Sequence, residues 1–325
     1  MRVLIIGGAG MVGRKLADRL ARDGQLGGTA ISGMTLYDVV PGAVPDAAKM
    51  PVEILKGDLP AAGEAERLIA SRPEVIFNLA AIVSGEAEQE FEKGYLINLD
   101  GMRGLLEAVR KAGHKPRFVF TSSIACYGAP FPDAIPDDFH QTPLTSYGTQ
   151  KAIGELLLSD YTRKGFLDGI GIRLPTICVR PGKPNKAASG FFSNIIREPL
   201  AGEEAVLPVS EDVRHWHATP RSAVGFLVHA ATIDGETVGA GRNLSMPGVS
   251  CTVAEQIAAL RKVAGDKVVA RIRREPDAAI MKIVAGWPRN FDAKRAKALG
   301  FKAESSFEEI IRTHVADELG GKIAS

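Results

Sequence analysis

The sequence predicts an α/β fold, a doubly wound parallel sheet with a smaller C-terminal lobe. Three observations carry this. Short apolar runs alternate with longer helical patterns through the first 180 residues, the signature of repeated βαβ units. A glycine-rich turn follows the first apolar run and opens a helical pattern. The chain of 325 residues also exceeds what one core usually holds.

Taken in order, the predicted strands are Val3–Ile6, Met34–Tyr37, Val52–Leu55, Val75–Phe77, Phe118–Phe120 and Gly171–Leu174. Helical patterns lie between them at Met11–Ala21, Ala65–Ala70, Asn98–Lys111 and Tyr147–Arg163. Right-handed crossovers turn this alternation into a doubly wound sheet that binds ligands at the carboxyl ends of its strands. After Arg180 the run Pro181-Gly182-Lys183-Pro184-Asn185 breaks regular structure. The expected division is therefore 1–180 for the main domain and 181–325 mainly for the smaller lobe, with some segments returning. Within that lobe, Thr252-x-x-Glu255 and Ser306-x-x-Glu309 each precede an apolar periodic run, as capping boxes do at helix starts.

Composition excludes several classes. Forty Lys and Arg against thirty-eight Asp and Glu leave a net charge of +2 without a basic cluster, so nucleic acid is not the expected partner. The apolar run after Met1-Arg2 is too short for a signal peptide, and no stretch reaches the length of a membrane span. Cys126, Cys178 and Cys251 have neither the count nor the spacing of a disulfide framework or a zinc site. His215-x-His217 lacks a third ligand at a recognisable spacing, so no metal is expected. These features point to a cytoplasmic protein without a membrane partner.

The chemistry begins at Gly7-Gly8-Ala9-Gly10-Met11-Val12-Gly13. Gly7, Gly10 and Gly13 allow a tight turn, close approach of backbone N–H groups to a pyrophosphate, and close helix–strand packing. Asp38 ends the second strand pattern, where a carboxylate can accept hydrogen bonds from the adenosine ribose. No arginine follows closely enough to attract a 2′-phosphate, so NAD is expected rather than NADP. Asp58 and Leu59 after the third strand, and Leu79, Ala80 and Ala81 after the fourth, complete the expected cofactor-binding set with Tyr147 and Lys151. Tyr147-x-x-x-Lys151 puts a phenol and an ammonium on one helix face. The cation there favours the phenolate and brings the tyrosine towards neutrality as an acid/base. Thr121-Ser122-Ser123 at the fifth strand's end supplies a serine hydroxyl to hold the substrate oxygen.

With these residues in view, the chain resembles the extended short-chain dehydrogenase/reductases, the superfamily that includes nucleotide-sugar epimerases. The resemblance runs from Met1 to about Ala231. It implies a Rossmann-like NAD domain in which Ser123, Tyr147 and Lys151 match the family's catalytic triad. Ser123 takes precedence over Ser122 because it stands four residues before Tyr127-Gly128, as in the family's Ser-x-x-x-Tyr-Gly pattern. Asn98 matches a helix asparagine that supports the active site. The resemblance further implies a homodimer packed through the helices containing Asn98 and Tyr147.

Where those epimerases commonly carry Arg-x-x-Asn, this chain has Arg173-Leu174-Pro175-Thr176, and Pro220-Arg221 stands near an expected acid. The segments from Leu174 and around Arg214 instead resemble bacterial dehydrogenases of a four-carbon sugar acid. This implies oxidation at C2 to a 2-oxo acid with release of NADH. Ser84, Ser123, Tyr147, Arg180 and Arg214 are the expected substrate-binding set, the two arginines because a guanidinium can hold a carboxylate bidentately. Two alternatives stay open on the residues alone: a nucleotide-sugar epimerase or dehydratase that retains its NAD, and a non-catalytic NAD sensor on the same fold.

Overall fold

The computed structural model describes residues 1–182 and 188–324. Of the break expected after Arg180, Lys183, Pro184 and Asn185 lie outside the described residues.

Each predicted strand is present and slightly longer than its apolar run: β1 (Arg2–Ile6), β2 (Gly33–Asp38), β3 (Val52–Lys56), β4 (Val75–Asn78), β5 (Arg117–Ser123) and β6 (Asp168–Leu174). A seventh, β7 (Asn243–Ser245), pairs with Gly171–Arg173 of β6. Its three residues carry too little apolar pattern to read as a strand, and the exposed edge of β6 supplies what its sequence lacks. The order is β7-β6-β5-β4-β1-β2-β3, parallel throughout. The winding reverses between β1 and β4, so the crevice for a ligand opens beyond the carboxyl ends of those two strands.

The flanking helices are α1 (Met11–Asp23), α2 (Glu64–Ile69), α3 (Gly101–Ala112) and α4 (Ser146–Arg163). In α1, Gly13, Leu16, Ala17, Leu20 and Ala21 face inward at helical spacing, and Gly24 closes the helix with φ 65°, a left-handed cap that glycine adopts without a Cβ penalty. The helix expected over Asn98–Lys111 is present but not α-helical throughout: Tyr95–Asp100 forms a π-helical turn that leads without a break into α3. One core under the sheet joins Leu4, Ile6, Ile76, Phe118 and Phe120 to Met102, Leu105, Leu106 and Val109 of α3 and Leu158 of α4.

By compactness the chain divides into two units. The first holds Met1–Cys126, Thr145–Leu174 and Val224–Ser245; the second holds Tyr127–Leu144, Pro175–Ala223 and Met246–Ser325. Residues Tyr127–Leu144 go with the second because Tyr127 packs on Phe139 and Phe291, and Ile135-Pro136 pairs with Phe291-Asp292. In the second unit, strand Arg214–Ala218 lies between Thr176–Ile177 and Val249–Thr252. Its core gathers Phe191, Phe192, Ile195, Ile196, Ile257, Leu260, Ile310 and Ile311. The box at Thr252 closes on both sides. At Ser306 only the hydroxyl half forms, while Glu309 reaches back to the N–H of Ser305 at 2.8 Å. Among the described residues no helix is long and apolar enough to cross a membrane.

Candidate active site

The glycine loop sits at the winding reversal. The N–H groups of Gly7 and Gly8 donate to Tyr37 O at 2.8 and 3.0 Å, and that of Gly10 donates to Gly7 O at 3.2 Å. Gly7 has φ +85°, and a Cβ there would lie 2.8 Å from Ala80 N. At Gly13 a Cβ would run into Gly7 O. These two glycines are therefore required by close approach, the one to the loop after β4 and the other to the loop itself. No side chain caps the first turn of α1, which leaves the N–H groups around Met11, Val12 and Gly13 at a positive helix end.

Asp38, the last residue of β2, accepts from Ala9 N at 3.0 Å. The glycine loop thus holds the carboxylate in place, while Val39 and Val40 beyond it are exposed. Asp58 is exposed and Leu59 buried after β3. Leu79, Ala80 and Ala81 follow β4, with Ala80 and Ala81 half-buried, and Leu79 N donates to Ile6 O at 2.9 Å. Ser84 opens the short helix Ser84–Gln89.

Helix α4 starts at Thr145, whose hydroxyl accepts from Gly148 N at 3.1 Å, and this start sets the face on which Tyr147 and Lys151 lie. Lys151 is 2% exposed and donates from Nζ to Thr121 O at 2.8 Å. Its Nζ stands 5.6 Å from the centre of the Tyr147 ring and 4.8 Å from that of Phe120. Burial lowers the ammonium to about 8, against the opposing pull of Cys126 and Glu155. Two residues beyond Thr121, β5 ends at Ser123, whose Oγ accepts from Ala125 N at 3.1 Å. Asn98 is 4% exposed and belongs to the π-helical turn. Its amide exchanges hydrogen bonds with Ile82 N and O at 2.9 and 3.2 Å and donates to Gln150 Oε1 at 2.8 Å.

The structure adds residues that the motifs do not single out. Glu155 is 1% exposed and accepts from Arg173 Nε and Nη2 at 2.9 and 2.7 Å, and from Ser122. A detectable signal exists: Tyr147, Lys151 and Glu155 are spaced i, i+4, i+8 along one face. Nothing in the sequence pairs that acid with an arginine on β6. The thiol of Cys126 lies in the same buried cluster, where burial and Glu155 push it up to about 12.

Arg180 and Arg214 belong to the second unit. Arg180 donates to Ile177 O at 3.0 Å and to Ser189 Oγ at 2.8 Å. Arg214 pairs with Glu255 at 3.2 Å, both partly exposed, whereas nearby Glu211 pairs with Arg274. Thr176 Oγ1 lies 2.7 Å from His215 Nε2, and His215 Nδ1 lies 2.8 Å from Pro288 O. The carbonyl can only accept, so Nδ1 carries the proton and Thr176 donates to Nε2. Burial lowers His215 to about 4. Among the described residues no group of three or more His, Cys, Asp or Glu side chains gathers as a metal site.

Residues 3–219 match the model of the NAD dependent epimerase/dehydratase family. The chain belongs to this family. Within it, the chain is 48% identical over 322 residues to a D-erythronate dehydrogenase of Cupriavidus necator, covering 98% of each chain. It is 42% identical to a D-erythronate dehydrogenase of Haemophilus influenzae, covering 97% of this chain and 99% of the relative. Among solved structures it is similar to a protein described as the nucleoside-diphosphate-sugar epimerase from Agrobacterium tumefaciens. That likeness has a TM-score of 0.98 and 66% identity, and it covers 100% of this chain and 96% of the other.

The family's NAD fits what the first unit offers. The cradle around Gly7 and Gly13 is one that a Cβ would fill, the uncapped start of α1 suits a pyrophosphate, and Asp38 stands ready-oriented for ribose hydroxyls.

Proposed function

We propose that this enzyme oxidises D-erythronate at C2 to 2-dehydro-D-erythronate, with Tyr147 as general base. The observation that carries the chemistry is the buried Lys151, fixed on Thr121 O and 5.6 Å from the Tyr147 ring. The names of two relatives that match over nearly their whole length support the substrate.

When bound, NAD supplies the acceptor for the hydride that leaves C2. Tyr147, as phenolate, takes the proton of the C2 hydroxyl, and the carbon–oxygen double bond forms as the C2–H bond breaks. The Lys151 ammonium stabilises that phenolate by charge. The bond to Thr121 O aims the ammonium, and its lowered affinity for protons keeps it near the working range of a proton carrier. Ser123 holds the substrate oxygen from the end of β5. Asn98 supports this arrangement through the loop at Ile82, and Ser84 contributes to the substrate set. In the cofactor set, Gly7, Gly10, Met11, Val12 and Gly13 take the pyrophosphate. Asp38 takes the ribose, Asp58 and Leu59 the adenine side, and Leu79, Ala80 and Ala81 line the approach.

Arg180 and Arg214 are the candidates for the substrate carboxylate. The partner of Arg214 is a half-exposed glutamate, and such pairs are worth at most about 1 kcal/mol, so a substrate acid can compete with it. The name of the Agrobacterium structure favours a second reading, a nucleotide-sugar epimerase that retains NAD. Against it stand both full-length relatives named as dehydrogenases and Thr176 in place of the epimerases' common asparagine. The intact Ser123, Tyr147 and Lys151 weigh against a sensor. The reading includes a cytoplasmic homodimer: all three cysteines are free thiols, and Leu96, in the π-helical turn that holds Asn98, and Leu156, on α4, are exposed apolar side chains that an interface would cover.

The deciding assay follows NADH absorbance with D-erythronate and, separately, product sugars from UDP-hexoses. NADH accumulation with the acid is expected. Epimerised sugar without NADH from the acid would replace this reading with the second. Arg180→Met or Arg214→Met should raise KM for the acid far more than for NAD, by the roughly 2–5 kcal/mol of a lost charged partner.

A further inference from the structure

Asn98 is held in a way that leaves its amide no freedom. Ile82 offers one donor and one acceptor, and Asn98 satisfies both, Oδ1 accepting at 2.9 Å and Nδ2 donating at 3.2 Å. The second hydrogen of Nδ2 is then available for one partner, and it goes to Gln150 Oε1 at 2.8 Å. Gln150 must therefore present its oxygen to Asn98. Among the described residues its Nε2 has no hydrogen-bond partner; it lies in buried space against Gly94, where a Cβ would lie 2.7 Å from that nitrogen.

Gln150 is 0% exposed and Asn98 4%. An unpaired buried donor is costly, and a methionine of similar size would remove this one only by leaving the second hydrogen of Asn98 Nδ2 without its acceptor. A side chain that only packs gives no reason for such an amide. Its position does. Gln150 immediately precedes Lys151 on α4, and Ile82 belongs to the loop after β4 whose earlier part, at Ala80, packs against Gly7 of the glycine loop. The chain Gln150–Asn98–Ile82 joins the helix bearing the acid/base pair to the loop lining the cofactor's approach.

We propose that Gln150 is a positioning residue that sets the cofactor-facing loop relative to Tyr147 and Lys151, so that NAD binding and proton transfer share one geometry. The proposal rests on the NAD site described above and not on which acid is oxidised.

The test measures the dissociation constant for NAD by calorimetry with no acid present, kcat with D-erythronate, and Tm. Gln150→Met should bind NAD about 3- to 10-fold more weakly, the worth of one net hydrogen bond, with kcat lowered about tenfold or more by misplacement and Tm little changed, because one unpaired buried donor replaces another. Gln150→Glu, which keeps an oxygen acceptor for Asn98 Nδ2, should recover most of the NAD affinity. Gly94→Ala leaves every site residue in place but drives a methyl into Gln150 Nε2, so it should reproduce the weakened NAD binding. This variant carries the test if Gln150→Met fails to fold. NAD affinity and kcat within twofold of wild type in the folded variants, whatever happens to Tm, would reduce Gln150 to packing and overturn the proposal. Because the calorimetry uses no acid, its outcome stands even if D-erythronate is not the substrate.

Discussion

Replacing Lys151 separates what this residue does for the reaction from what it costs the fold. The residue is 2% exposed, and burial brings its ammonium from an ordinary 10.5 to about 8. At 1.36 kcal/mol for each factor of ten, that drop corresponds to about 3 kcal/mol disfavouring the charged form in the folded state. Below about pH 8 the lysine is charged in both the folded and unfolded chain, and the whole penalty applies. Between about 8 and 10.5 the unfolded chain binds the additional proton, so stability rises with pH. Above about 10.5 the penalty is gone. Lys151→Met removes it at every pH and leaves Thr121 O without its donor, a loss of about 1–3 kcal/mol. The variant should thus match wild-type stability at neutral pH or exceed it by up to about 2 kcal/mol. The advantage should vanish or reverse as the medium reaches about pH 10. Urea unfolding of the apoprotein at about pH 7 and about pH 10 reads the difference. Turnover should fall about 10²–10⁴-fold and NAD binding should weaken. A variant more than about 2 kcal/mol less stable than wild type at neutral pH, or a difference that does not change with pH, would refute the buried-charge reasoning.

Tyr147→Phe should keep NAD affinity and lose about 10²–10⁴ in kcat; near-normal turnover across the pH range would remove Tyr147 from its role. Asp38→Ala frees Ala9 N from its bond and removes the charge that opposes a 2′-phosphate, so the ratio of kcat/KM for NAD to that for NADP should fall. A wild type that already prefers NADP contradicts the argument. Glu155→Gln leaves Arg173 charged and buried, which should cost about 3–5 kcal/mol of stability in urea unfolding. A loss of less than about 1 kcal/mol would mean that water reaches the guanidinium.

How much of the fold and the site is legible in the chain depends on how local the physics is. Strands β1 to β6, the helices between them and the glycine turn follow from period and spacing, because an apolar run flanked by breakers has few ways to bury itself. Tyr147 and Lys151 are likewise local: four residues apart on a helix, they share a face wherever it packs. The order of residues alone therefore suffices for the doubly wound sheet, the succession of loops after its strands and the shared helix face of Tyr147 and Lys151. Packing in three dimensions settles the rest. Strand β7 exists because β6 offers an edge some seventy residues earlier, not because Asn243-Leu244-Ser245 favours a strand. Tyr127–Leu144 joins the second unit through Phe291, a partner far along the chain. The π-helical turn at Asn98 is fixed by Ile82 and Gln150, and Glu155 finds its cation on β6. Each of these depends on a group brought close only after folding, and side-chain chemistry in a buried place is set by its neighbours in space, which the order of residues does not state.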